Sequence, residues 1–222
     1  MPHPKPTLKP RKTPVQARSA STVDAIYAAS IQVLHEVGLE RFTTTRAAER
    51  AGASVGTLYQ YFPNKSALLA AVLERHLTTV VEAVEAALVG VRGQPVAVIA
   101  NTFVNAYLDA KLRDVTASMA LYAVAGEDGG AEIVGRLTQR GQLALCEVLA
   151  TARDAQFDNL RMVSLVLVTA LSGPLQALLA SGSNLAMADS LRRHLVVMVD
   201  AYLLRFTLPA PAFKKPRKLS KP

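Results

Sequence analysis

Apolar residues recur along this chain at steps of three and four. Ile26, Ser30, Val33, Leu34 and Val37 form one such row, which predicts an amphipathic helix over residues 17–37. Gly38 stands just past it, where a left-handed residue suits a helix end. Similar stretches, punctuated by Gly, Pro and Asn, predict short helices over 45–51 and 55–62 and a long one over 65–89. Gly90, Gly93 and Pro95 break the chain, and further helices are expected over 95–112, 114–125, 131–154, 159–180 and 186–207. Residues 126–130 and 181–184 read as loops. No run of alternating β-branched residues occurs, so the predicted fold class is all-α.

Two of the predicted helices are unusually apolar. The segment 162–180 is apolar nearly all round, and such a helix is expected to be buried on every side, with a kink at Pro174. The next one carries Ala188, Leu191, Leu195, Val199 (or Met198), Tyr202 and Phe206 on one stripe. The first segment has the length of a membrane span, but it contains Ser164, Ser172, Gly173, Pro174 and Gln176 and has no flanking aromatic belt. No membrane partner is expected.

Composition adds to this picture at the ends of the chain. The net charge is +8, and it is unevenly placed. Lys5, Lys9, Arg11, Lys12 and Arg18 occur at the N-terminus, and Lys214, Lys215, Arg217, Lys218 and Lys221 at the C-terminus, with no acid in either segment. The proline-rich ends, 1–16 and 209–222, are expected to be disordered, and their charge suits a polyanion. The body between them is near neutral. Half the residues are hydrophobic and only 19% are charged, as expected where a large apolar surface is buried between subunits. The one cysteine, Cys146, excludes an intrachain disulfide and is read as a small core residue. His3, His35, His76 and His194 fall in no ligand spacing, and there is no nucleophile motif or phosphate loop. No metal, cofactor or enzymatic activity is expected. A helical enzyme has no catalytic constellation to support it.

The informative segment is Phe42 to Leu69, FTTTRAAERAGASVGTLYQYFPNKSALL. Two short helices flank Gly52, with Ala51 and Ala53 beside it, which is the arrangement a tight helix-turn-helix requires. Ala47, Ala48, Ala51 and Leu58 form the expected inner seam. Thr43 or Thr44 is placed to cap the first short helix and Ser54 the second. The second helix would enter the major groove by its N-terminal end.

This segment closely resembles the TetR family of repressors, whose recognition helix reads roughly S-x-G-T-L-Y-x-Y-F followed by x-x-K-x-x-L. The chain supplies Ser54, Gly56, Thr57, Leu58, Tyr59, Tyr61 and Phe62, then Lys65 and Leu68. The likeness covers about residues 17–76. It departs at Ala47 and Ala53, where relatives usually carry larger residues.

The resemblance implies a basic arm (1–16), a three-helix DNA-binding domain (17–64), a ligand-binding and dimerisation bundle (65–208, with 65–89 connecting) and a basic tail (209–222). It places Thr44 and Thr45 at phosphate, Thr45 also close to base edges, with Arg46 and Ser54 beside them. Val55, Gly56 and Thr57 form the tip of the recognition helix. Gln60 suits adenine, Tyr59 and Tyr61 phosphate oxygens, and Lys65 a further phosphate. Attraction to DNA would come from Lys65, Arg46, Arg50 and the arm. Phe103, Tyr107, Met119, Tyr122 and Met162 are the candidate pocket residues, for a mostly apolar effector. Asp109, Lys111, Arg113 and Asp114 are read as a solvated helix end. The last two helices would form the homodimer interface through Leu165, Val168, Leu191, Leu195, Val199 and Tyr202. The implied function is a cytoplasmic, nucleoid-associated regulator, a repressor released from a palindromic double-stranded operator by a small molecule. The alternative is a ligandless architectural protein that binds DNA through its basic tails.

Overall fold

The computed structural model describes residues 17–127, 129–181 and 185–207. The arm and the tail expected at the two ends lie outside the described residues. Among the described residues the protein is helical, in the order α1 (Ala17–Arg41), α2 (Thr44–Arg50), α3 (Val55–Tyr61), α4 (Lys65–Val89), α5 (Val96–Arg113), α6 (Val115–Ala125), α7 (Gly130–Leu149), α8 (Leu160–Ala180) and α9 (Leu185–Leu203), closed by a 3₁₀ turn, Leu204–Phe206. No strand occurs among them, only an isolated bridge between Ala155 and Thr207.

Side-chain caps start most of these helices. Thr43, Ser54, Asn64, Asp114 and Asn159 each accept a hydrogen bond from the amide three residues on, satisfying one of the donors a helix start leaves unpaired. Pro95 opens α5 without a side-chain cap. Asp154, from the loop after α7, accepts from the Val96 amide at 2.7 Å instead. In the same loop Thr151 Oγ1 accepts from the Gly93 amide at 2.8 Å. These bonds to the α4–α5 turn explain why α7 stops at Leu149, short of the expected residue 154. Gly38 does break α1, at φ 73°, but one more turn follows it to Arg41.

Two cores stack along the molecule. The first gathers Ile26, Val33, Phe42, Ala47, Leu58 and Phe62 around the first half of α4, with Ala117, Leu121 and Val124 of α6. The second gathers the end of α4 with α5, α7, α8 and α9, through residues such as Leu88, Ile99, Leu145, Leu171 and Leu195. Helix α4 spans both cores. Helix α6 packs on α1 with one part of its surface and on the second core with another.

Helix α8 is long and apolar enough to cross a membrane by length and composition, yet it packs on α6, α7 and α9. The expectation that it is covered all round is not met within one protomer. Val163, Leu167, Leu171 and Leu175 face inward, while Met162, Leu165 and Val166 are exposed.

A helix-turn-helix surface and an apolar cavity

The turn between α2 and α3 is closed by the backbone. Ala51 ends α2, Gly52 follows at φ 65°, and the Gly52 and Ala53 amides bond back to Glu49 O at 3.1 Å and Ala48 O at 2.9 Å. This paired pattern needs a left-handed residue just past the cap, which is why glycine stands there. Ala47, Ala48 and Leu58 are fully buried at the seam, so α2 and α3 touch through small side chains. The Ser54 hydroxyl holds the Thr57 amide at 2.9 Å and the Thr57 hydroxyl at 2.8 Å, fixing the start of α3.

The predicted contact residues divide into two groups. Thr45, Arg46, Ser54, Gly56, Tyr59 and Gln60 are exposed, and Val55 and Thr57 are half-exposed. Gly56, Tyr59 and Gln60 share one face of α3, at helical spacing. A second group is turned to other work. Thr44 is buried, and its hydroxyl lies 3.0 Å from the Tyr59 hydroxyl. It therefore positions Tyr59 rather than meeting a phosphate itself, because α2 starts one residue earlier than expected and carries Thr44 inward. Tyr61 packs against the first core beside Phe62. Lys65 donates to Leu39 O at 3.0 Å and sits 5.7 Å from the Phe42 ring centre, tying α1 to α4.

The basic residues of this head are largely occupied. Arg50 pairs with Glu36 through two bonds of 2.7 and 2.6 Å, Arg75 pairs with Asp24, and Arg46 donates to Arg41 O at 3.0 Å. The expectation that Arg50 supplies free charge to DNA is corrected by its bidentate pair.

The second half encloses a cavity of about 410 Å³, between α4, α5, α6, α7 and α8. Of the five candidate pocket residues, Phe103, Tyr107 and Tyr122 line it. Met119 packs into the second core without reaching the cavity, and Met162 is 52% exposed at the start of α8. Leu73, Leu77, Val80, Leu121 and Leu137 are among the other apolar residues of the wall, and Thr138, Thr169, Ser172 and Gln176 add polar groups to it. Two basic lining residues were missed by the sequence reading, His76 of α4 and Lys111 of α5. Lys111 is 6% exposed, so the solvated helix end expected there is corrected. The signal was present: Ile99, Phe103, Tyr107 and Lys111 recur every four residues on one row of α5.

Of the interface candidates, two are covered within the protomer and three are half-buried. Leu195 and Val199 are buried in the protomer's own second core, Leu191 and Tyr202 pack against it, and Val168 lines the cavity. Only Leu165 is exposed. A stripe of apolar residues shows that a face is buried, but not whether its cover is the same chain or a copy. The exposed apolar residues here are Met162, Leu165 and Val166 on α8, Met187, Val197 and Met198 on α9, and Leu204. Among the described residues no cluster of three or more metal-ligating side chains forms.

Residues 26–72 match the model of bacterial regulatory proteins of the tetR family, and residues 95–203 match that of the tetracyclin repressor-like C-terminal domain. The chain is 44% identical over 55 residues to the tetracycline repressor protein class C of Escherichia coli, covering 25% of each chain. It is 38% identical over 71 residues to the nucleoid occlusion factor SlmA of Actinobacillus pleuropneumoniae, covering 32% of this chain and 33% of that protein. The chain thus spans no more than about a third of the length of these curated relatives. Over the whole fold it is similar to a TetR-family regulator from Mesorhizobium loti, with a TM-score of 0.70, 18% identity and coverage of 87% and 100% of the two chains. A TetR-family regulator from Streptomyces coelicolor superposes with a TM-score of 0.59 at 26% identity, covering 83% and 99%.

Proposed function

Because the chain belongs to the TetR family of transcriptional regulators, we propose that it binds a palindromic operator as a homodimer and is released from it when a small molecule fills the cavity. The observation that carries this reading is the exposed face of Gly56, Tyr59 and Gln60, held on a rigid turn by the Ser54 cap and the Gly52 backbone pattern. Gln60 presents the amide that suits adenine, while Thr45, Ser54 and the Tyr59 hydroxyl serve phosphate oxygens. The exposed apolar faces of α8 and α9 meet their copies across a two-fold axis.

Release follows from two helices shared between the halves. Helix α4 lines the cavity with Leu73, His76, Leu77, Val80, Val81 and Val84, and its first half belongs to the core of the DNA-binding head. Helix α6 lines the cavity with Ser118, Leu121 and Tyr122 and packs on α1. A ligand that prefers one placement of these helices shifts the separation of the two recognition helices by that difference in affinity. We place the protein in the cytoplasm, on the nucleoid.

The test is selection of binding sites from random duplexes with the full chain. Enrichment of an inverted repeat, with half-sites about one helical turn (~34–36 Å) or somewhat more apart, is expected from a two-fold dimer. Sites without dyad symmetry would refute the dimeric mode. A second reading, an architectural protein acting through its basic ends, draws on the charge of those ends and on the likeness of the head to SlmA. Under that reading the selection enriches nothing.

A further inference from the structure

The junction of α5 and α6 places a cation in the wall of a mostly apolar cavity. Lys111 stands one helical turn beyond Tyr107, and its ammonium lies 5.1 Å from the centre of the Tyr122 ring. None of the ion pairs among the described residues involves it. Of the acids nearest in sequence, Asp109 pairs with Arg192 at 2.6 Å, and Asp114 caps α6 with its charge felt at His76, while neither forms an ion pair with Lys111. The Tyr122 hydroxyl is buried and has no hydrogen-bond partner among the described residues.

His76 offers no counter-charge. Ser118 Oγ donates its single hydrogen to Lys111 O at 2.8 Å, so His76 Nε2, 3.2 Å away, must donate to Ser118. Burial, aided by the Lys111 charge and opposed by Asp114, lowers the His76 pKa to about 4, and the ring is neutral. Burial also lowers the Lys111 pKa to about 8, which leaves it mostly cationic at neutral pH. A buried cation without an anion, beside a buried hydroxyl without an acceptor, is costly. Both lacks are met by one kind of group.

We propose that the cavity takes an apolar molecule bearing a single anionic group of the carboxylate class, its charge held by Lys111 and one oxygen accepting the Tyr122 hydroxyl. This rests on the reading of the cavity as an effector site, and it adds a charged group to the mostly apolar effector expected from the sequence. The volume, about 410 Å³, lies within the range of small-molecule sites.

Calorimetric titration of the full chain at pH 7 tests it, using decanoate, decanol and decylamine, then 2-naphthoate, 2-naphthol and 2-naphthylmethylamine. Within at least one trio the carboxylate should bind tenfold or more tighter than the alcohol, and the amine more weakly than either. Lys111→Met should bring the carboxylate down to the alcohol's affinity and leave the alcohol within about twofold, since charge-free binding needs only the apolar wall. Tyr122→Phe should weaken the carboxylate alone. Lys111→Met removes an unpaired charge, so its Tm should be no lower than that of the parent. Equal affinity for acid and alcohol, an unchanged carboxylate affinity in Lys111→Met, or no binding by any probe overturns the proposal. Carboxylate binding through Lys111 that leaves DNA affinity unchanged sustains it and overturns the effector reading instead.

Discussion

In the proposed mode of binding, base reading falls to Gln60, which is exposed on α3. Gln60→Ala should cost roughly 1–3 kcal/mol on the selected site and relax preference at one position in each half-site. Competition binding against single-base variants of the site measures this. A second effect belongs to the cavity's titratable pair. The His76 pKa is lowered to about 4 by burial, so the unfolded chain takes up a proton that the folded one refuses. Stability should fall as pH drops from about 6.5 to about 4. Lys111, lowered to about 8, works on the alkaline side: stability should rise from about pH 8 to about 10.5 as the folded protein sheds that proton first. Melting curves across pH check both, since His76→Gln should flatten the acid limb and Lys111→Met the alkaline rise. The site was legible where local chemistry decides it. The Ser54 cap, Gly52 and the exposed Gln60 follow from short-range rules. The roles of Thr44, Lys65 and Arg50 did not, because their partners Tyr59, Leu39 and Glu36 lie 14 to 26 residues away and meet them only through the fold.

At the scale of elements, periodicity and caps located the helices to within a few residues, except where a distant loop intervened. Helix α7 ended early because Thr151 and Asp154 serve the α4–α5 turn, a bond that no local pattern announces. Apolarity located the buried faces of α8 and α9 without naming their covers. The revised faces make a prediction that separates the two roles. Val197→Glu with Leu165→Glu places charge on exposed apolar surface, and light scattering should show a folded monomer with an unchanged helical circular dichroism spectrum. Leu195→Glu places charge in the protomer's core, 3% exposed, and should unfold it. A dimer that survives the first pair of substitutions would move the interface elsewhere.

For the whole molecule, the proposed mode has charge set the strength of binding and α3 its choice. With Arg50 and Arg75 in ion pairs, the proposed binding would draw its attraction to phosphate mainly from the basic residues ahead of α1. Deleting residues 2–16 should make the salt dependence shallower, by about 0.9 for each phosphate no longer neutralised, and weaken operator and random DNA alike. Identical slopes with and without those residues would leave them no role in binding. The central claim is sequence-specific recognition by a dimer, and a paired titration tests it most directly. The selected inverted repeat and a duplex of equal length with scrambled half-sites are titrated with the full chain at one physiological salt concentration. A preference of about 10³ or more for the repeat is predicted, and equal affinity for the two duplexes would contradict it.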